Sequence, residues 1–330
     1  MNIIKIVLYS ILFTSICIFP ACDRLDMYDI ASGKSRTAYA ISYDGVNYKL
    51  IIANVNYLKI FNITPGFTNT PGGISVSQRG SIIVYDASST ILIQNDLQTW
   101  APVAPTPNDP NVLGFNDSFV CFDTTSLYIN QLSETFTWLT TIGSFPANTL
   151  GIFKGNNYEI YVVEPDGTNV NIYTMNNPTT PIFTAILGIS INNPFGGFKT
   201  KNYFYLWYTN TVNSIFRITP TSTTTLNSTT AVGNSLIDVT VTDDDNVFAI
   251  VTETGTYQLK HIISDNNYPA ILNFGSIGNF NIDSLDDRHI VIASSGNTSG
   301  YNGLFIYDVD DNKIVKHITS TDVIALYVLR

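Results

Sequence analysis

From about residue 37 onward, apolar positions fall into short runs rich in Ile, Val, Tyr, Phe and Thr, divided by clusters of Gly, Asn, Asp and Pro. No segment there sustains a helical period, so the pattern predicts short strands joined by turns. The runs follow a fixed order. A short apolar strand meets a tight polar turn, a strongly apolar strand follows, and after a loop two further strands complete the unit. The polar turns sit at Arg79-Gly80, Asn116-Asp117, Gly155-Asn156, Thr200-Lys201, Asp244-Asp245 and Asp287-Arg288, with spacings of 37, 39, 45, 44 and 43 residues. Second strands are predicted over 82–85, 119–122, 159–163, 203–208, 247–251 and 289–293. Third strands are predicted over 91–94, 127–130, 171–174, 214–218, 257–261 and 304–308. A near-constant period of this length marks a repeated supersecondary unit.

Four short strands per unit is the signature of a β-propeller blade. Six such units leave three strands over, at 37–42, 47–53 and 57–61, and one at 323–329. Together these make a seventh blade. The expected fold is therefore all-β: a seven-bladed β-propeller of four-stranded blades, its ring closed by the C-terminal inner strand and the N-terminal strands, which removes open sheet edges. Gly73, Gly114, Gly151 and Gly197 fall near the start of four inner strands, where crowding around a channel favours a residue without a Cβ. Proline-rich stretches at 64–73 and 101–111 read as surface loops between blades.

The segment ahead of the repeat has a different pattern. Lys5 is its only charge up to residue 21, residues 6–18 are largely apolar, and Phe19-Pro20-Ala21 leads directly into Cys22. A spanning helix needs about 20 apolar residues, and Pro20 ends this run early. Ordinary secretory cleavage wants a small residue three positions before the cut, where Phe19 stands. The segment resembles the signal peptides of bacterial lipoproteins, in which a cysteine after a small residue is lipidated and becomes the new amino terminus. Ala21 fits that pattern; Phe19 and Pro20 depart from it. The resemblance implies a signal peptide over 1–21, a lipidated Cys22 carrying palmitate-type acyl chains, a polar tether over 22–36 and a propeller domain over 37–330. It places the protein in the cell envelope, periplasmic or at the cell surface, attached to the membrane by lipid.

Charge sharpens this picture. The chain carries 16 Lys and Arg against 26 Asp and Glu, a net charge of −10, and loss of Lys5 with the signal peptide makes it −11. Nucleic acid is excluded as a partner. So is docking on anionic lipid through a basic patch, which leaves attachment to the acyl chains. Of three cysteines, only Cys121 lies in the propeller region, within an alternating apolar run that predicts a buried thiol. A monomer is expected, with an envelope protein or a small ligand as partner.

Candidate chemistry is confined to carboxylates. Asp86, Asp123, Glu164 and Glu253 close predicted second strands, and Asp238 and Asp283 lie near predicted inner-strand starts, so the six would share one rim of the ring. Such a rim could hold a hard cation, since Ca²⁺ takes about six to eight oxygen ligands, or it could be a set of solvated turn residues. Phe67, Phe145, Phe195 and Phe280, in loops between blades, are candidates for an aromatic edge to the same concavity. The acidic runs at 243–245 and 308–311 lack EF-hand spacing. His261, His289 and His317 fall at unrelated strand positions and predict no shared metal site. Asn95 to Trp100, and less closely Glu134 to Trp138 and Ser42 to Tyr48, resemble degenerate Asp-box hairpins of sialidase-like propellers; YVTN-like propellers are the other resemblance of the body. Phe216-Arg217-Ile218-Thr219-Pro220 lies mid-chain, out of place for the sialidase signature, and too few arginines remain for that family's carboxylate-binding set. The leading expectation is a binding or scaffold module acting through the channel-mouth face. The alternative is a cation-dependent, lactonase-like hydrolase using the channel-mouth carboxylates.

Overall fold

The structure, a computed structural model, describes residues 36–63, 70–86, 90–93, 100–103, 112–191, 195–208, 214–226, 235–264, 267–276, 278–297, 299–319 and 321–330. The leader, Cys22, the tether up to residue 35, Phe67 and 95–99 lie outside these residues. So does the side chain of Phe195.

Twenty-eight strands follow one another in the described residues. The first three are β1 (Ala38–Tyr43), β2 (Tyr48–Ala53) and β3 (Leu58–Ile63). Then come β4 (Gly73–Val76), β5 (Ile82–Tyr85), β6 (Thr90–Ile93) and β7 (Trp100–Val103). Next are β8 (Val112–Phe115), β9 (Ser118–Asp123), β10 (Tyr128–Leu132) and β11 (Trp138–Ile142). β12 (Gly151–Gly155), β13 (Ile160–Asp166), β14 (Asn169–Thr174) and β15 (Phe183–Ile186) precede β16 (Phe195–Lys199), β17 (Phe204–Tyr208), β18 (Ser214–Thr219) and β19 (Ser222–Leu226). The last are β20 (Ser235–Val241), β21 (Val247–Glu253), β22 (Thr256–Ile262) and β23 (Ala270–Gly275), then β24 (Asn279–Ser284), β25 (His289–Ser295), β26 (Gly303–Asp308) and β27 (Lys313–Thr319), and finally β28 (Asp322–Val328).

Consecutive strands pair antiparallel in fours, giving separate sheets for β4 to β7, β8 to β11, β20 to β23 and β24 to β27. The fours β12 to β15 and β16 to β19 join into one eight-stranded sheet through a short parallel contact, Lys154↔Phe198 and Gly155↔Lys199. The remaining sheet has the order β28-β1-β2-β3, so the two ends of the described chain share one sheet, Ala38 opposite Val328 and Ala40 opposite Leu326.

The burial pattern explains why these residues make these strands. All four residues of β5 are buried, as are Phe119 to Phe122 in β9, because a central strand is covered on both faces and reads as a continuous apolar run. Outer strands such as β3 and β27 alternate exposed and half-buried positions, since only one face is packed. Among the described residues the core is divided into seven hydrophobic clusters, each shared between successive groups of strands. One holds Ile83 and Tyr85 of β5 with Phe119 and Cys121 of β9; another holds Ile51 of β2 with Val291 of β25 and Val328 of β28. Cys121 is fully buried there, as its sequence context predicts. Among the described residues no helix is long and apolar enough to cross a membrane.

Candidate functional site

The first strand of each group, with β28 standing first in its own, lines a central cavity of about 410 Å³. Gly73 of β4, Leu113 of β8, Lys154 of β12, Phe198 of β16, Asp238 of β20, Asp283 of β24 and Tyr327 of β28 all face it. A larger groove, about 710 Å³, lies away from this channel beside β8 to β11. Its lining includes Asn116, Gln131, Ser133, Glu134 and Phe136 and carries no buried titratable group. The chemistry is in the channel.

At the level where the inner strands end, the channel has a charged floor. Arg330, just past β28 and 7% exposed, donates Nη1 to Val241 O at 2.6 Å and Nη2 to Thr240 Oγ1 at 2.7 Å, and pairs through Nη2 with Asp283. Its guanidinium lies over the Phe198 ring, 4.2 Å from the centroid. Lys154 reaches the same carboxylate from the other side, Nζ to Asp283 Oδ2 at 3.3 Å, and donates to Val328 O at 2.9 Å while resting 4.3 Å from the Tyr327 ring centroid. Just beyond, Arg36 donates its backbone N to Leu285 O at 2.9 Å and pairs with Asp243 in the turn after β20.

These contacts set the protonation states. Burial alone would raise the Asp283 carboxyl, but the charges of Arg330 and Lys154 outweigh it and hold it at about 2. Burial pulls the Lys154 ammonium down to about 8, with Asp283 opposing and Arg330 adding to the effect. Asp238 stands one strand away. It accepts from Val239 N at 2.8 Å and Ile282 N at 2.9 Å, yet burial, reinforced by the nearby Asp283 charge, pushes it up to about 7.

Nearer the strand starts, aromatic rings reach the channel over glycine. Gly73 pairs with Tyr85 and Gly196 with Trp207, and in both pairs a Cβ on the glycine would overlap the ring. Without that atom the second-strand ring can lie across the inner strand, so Tyr85 and Trp207 join the cavity lining. Phe198 is level with Lys154, which puts Gly196, two residues earlier, roughly 6.6 Å above the charged floor.

The structure brings Asp238 and Asp283 together and leaves the other four sequence candidates in local roles. Both lie in the channel wall, Asp238 fourth of seven residues in β20 and Asp283 fifth of six in β24, deeper than the inner-strand starts where the sequence places them. Asp123 accepts from Thr125 N at 2.9 Å and Ser126 Oγ at 2.6 Å in its own turn. Glu164, inside β13, accepts from Asn171 Nδ2 at 2.9 Å and Tyr173 Oη at 2.6 Å. Glu253 pairs with Lys260 at 2.7 Å, and Asp86 is buried just after β5. Phe145 and Phe280 are buried between sheets, so neither edges a concavity. Their place is taken by Tyr85, Trp207 and Tyr327. His261 stacks on Phe248, His317 on Phe305, and His289 lies 3.0 Å from Asp286, three separate places. Among the described residues no group of three or more His, Cys, Asp and Glu could hold a metal ion.

Sequence reasoning passed over Lys154, Arg330, Tyr85 and Trp207. The available signals were a lysine inside an inner-strand run and an aromatic residue opposite an inner-strand glycine.

Fold and site together define a β-propeller whose central channel combines a charged floor with aromatic walls. No known protein family matches this chain, and no curated protein does. Solved structures do. A protein from Lactobacillus plantarum matches with a TM-score of 0.57 at 11% identity, over 90% of this chain and 99% of that one. The β-propeller domain of Cps50 (Swd1) from Myceliophteria thermophila matches with a TM-score of 0.56 at 10% identity, over 83% and 97%. A catalytically inactive virginiamycin B lyase from Staphylococcus aureus, solved with quinupristin, matches with a TM-score of 0.53 at 13% identity, over 80% and 94%. At these identities the likeness is one of fold.

Proposed function

We propose that this protein is a lipid-anchored, seven-bladed β-propeller of the bacterial cell envelope whose central channel binds a small ligand. The observation that carries the reading is the channel itself: a cavity of about 410 Å³ where a buried arginine and half-buried ionised and near-neutral side chains lie beneath aromatic rings. Titratable groups whose proton affinities are shifted, gathered in a concave, partly apolar cavity, mark a candidate binding site. Seven blades follow from treating the eight-stranded sheet as two blades bridged at Lys154 and Phe198. Seven inter-sheet cores around a chain whose ends pair in one sheet support that count. The anchor rests on Cys22 and the leader before it.

The test is a thermal-shift screen of the full protein, solubilised in detergent, against small metabolites of both charge signs, with Trp207 fluorescence as the local readout. A ligand at a hundred times its Kd adds roughly 2.7 kcal/mol to stability, which such a screen detects. Stabilisation that disappears in Lys154→Met supports the reading; a screen with no stabilising compound overturns it. For the anchor, Cys22→Ala should abolish acyl labelling and partition into detergent.

A cation-dependent hydrolase is the second reading, favoured by one observation: Asp238, pushed up to about 7, has the proton affinity of a general acid or base at neutral pH. It predicts that Ca²⁺ stabilises the protein and that Asp238→Asn combined with Asp283→Asn abolishes the effect.

A further inference from the structure

Resting on the reading of the channel as a ligand site, we propose that its ligand is a small organic monoanion: a carboxylate carried on a single flat, mainly apolar ring. The carboxylate would sit by Lys154 and Arg330, with the ring against Tyr85 and Trp207.

The argument begins with an unequal sharing of charge. Lys154 and Arg330 both pair with the single carboxylate of Asp283 and complete their surroundings with neutral groups. For Lys154 the direct contacts are Val328 O and the Tyr327 ring; for Arg330 they are Val241 O, Thr240 Oγ1 and the Phe198 ring, and the charges of Arg36 and Asp243 just beyond, which act on Arg330 in opposite senses, are paired with each other. Arg330 Nε is buried with no hydrogen-bond partner, an omission that a buried guanidinium seldom tolerates. Asp238 does not repair the imbalance. Its oxygens accept backbone N–H groups from Val239 and Ile282, and near neutrality it carries at most part of a charge. Burial pulls Lys154 down to about 8 in spite of the opposing Asp283 charge, and the neighbouring Arg330 adds to the fall.

Each alternative ligand class meets an obstacle on this floor. An ammonium or a metal cation would approach two fixed cations. A neutral ligand would leave the surplus positive charge unanswered. A dianion would overshoot it, adding a second buried charge with no partner. One carboxylate balances the floor, and charge-assisted hydrogen bonds to Lys and Arg are the strong kind. Size and lining limit the rest of the molecule. The cavity lies toward the small end of the roughly 300–1,000 Å³ that ligand sites span, and its upper walls include Ile74, Leu113, Tyr85 and Trp207, which suit the face of a single ring.

The experiment is isothermal titration of the full protein in detergent with matched compounds: benzoate, phenylacetate and indole-3-acetate, their amides, and benzylamine and phenethylamine. Trp207 fluorescence reports the site, with Trp207→Phe as its control. At least one acid should bind, with an affinity tenfold or more above its amide and above both amines. Lys154→Met should remove that preference while Lys154→Arg keeps it; both retain the Asp283–Arg330 pair that secures the floor. The proposal is overturned if amides or amines bind as well as the acids, if no acid binds, or if acid binding survives Lys154→Met unchanged. Binding of an amide or amine with a Trp207 response would sink the anion but keep the channel as a ligand site. Silence from every compound here and in the broader screen would remove both.

Discussion

Lys154 and Asp283, 129 positions apart in sequence, meet inside the channel with Nζ 3.3 Å from Oδ2, and Arg330 holds the other carboxylate oxygen. One anion thus serves two cations, the buried Arg330 and the half-buried Lys154. Replacing Asp283 with Asn leaves both without a counter-charge, and breaking a buried pair from one side costs about 3–5 kcal/mol. Urea unfolding of Asp283→Asn should show a loss of about 3 kcal/mol or more. The double variant with Lys154→Met should recover part of it, because one orphaned charge has been removed. A single variant within about 0.5 kcal/mol of the parent would contradict this account.

The two channel carboxylates should tilt the stability curve in opposite directions. Asp283 is held at about 2, below its ordinary value of 3.8, so the folded state binds its proton less readily than the unfolded chain. Its contribution is present above about pH 4 and is lost as pH falls toward 2. Asp238 is raised from 3.8 to about 7, so the folded state holds a proton that the unfolded chain has released. Stability from this group declines as pH climbs from about 4 to about 7 and stays reduced above. Asp238→Asn, which cannot ionise, should flatten that decline and exceed the parent at pH 8 by more than about 1 kcal/mol, a figure set well below the full shift because Asp238 keeps some contact with channel solvent. Denaturant midpoints at pH 5 and pH 8 decide it, and parallel changes in parent and variant would count against a raised Asp238.

The second and third strands were legible in the sequence to within three residues: predicted 82–85 is β5, and predicted 247–251 grows only to Glu253 in β21. Central strands buried on both faces announce themselves as unbroken apolar runs, and their turns carry Gly, Asn or Asp. Ring closure was legible too, since the leftover strands numbered three and one. The depth of Asp238 and Asp283 was not. Inner strands such as Asn279–Ser284 alternate polar and apolar residues, which says which side faces the channel but not how far along it a residue lies. A register shift between Leu236 and Asp238 moves the offset further, and nothing in the residues announces it. The floor was invisible for a different reason. Lys154, Asp283 and Arg330 are brought together by ring closure alone, and no local spacing encodes their meeting.

Glycines in this fold should respond to substitution according to what surrounds them. A Cβ at Gly114 would collide with the backbone carbonyl of Val76, at the point where β8 passes β4, and backbone cannot swing aside as a side chain can. A Cβ at Gly143 meets nothing within 4 Å. Gly114→Ala should therefore cost roughly 2 kcal/mol or more, whereas Gly143→Ala should be neutral or stabilise by up to about 1 kcal/mol through a less flexible unfolded chain. Thermal melts of the two variants side by side test the crowding between inner strands. Equal melting temperatures would mean that β4 and β8 are not packed so closely.

The strand that closes the ring should be the hinge of cooperativity. β28 supplies the inner edge of the sheet that also holds β1, β2 and β3, pairing along β1 from Ala38↔Val328 to Tyr43↔Asp322. Removing residues 322–330 strips β1 of that partner and exposes its row of backbone donors and acceptors. It also opens the clusters that Val323, Ala325, Tyr327 and Val328 fill, and withdraws Arg330 from Asp283. The truncated chain should lose its single sharp unfolding transition and associate with itself through the open edge, visible as a broadened denaturant curve and a concentration-dependent mass in light scattering. Because the missing piece is one strand docking into a waiting edge, a synthetic peptide of residues 322–330 should restore the sharp transition in trans, while a peptide with Val328→Asp, whose valine is fully buried, should fail. If the truncated chain instead unfolds with the parent's midpoint and slope, the ends of the chain are not what holds the ring closed.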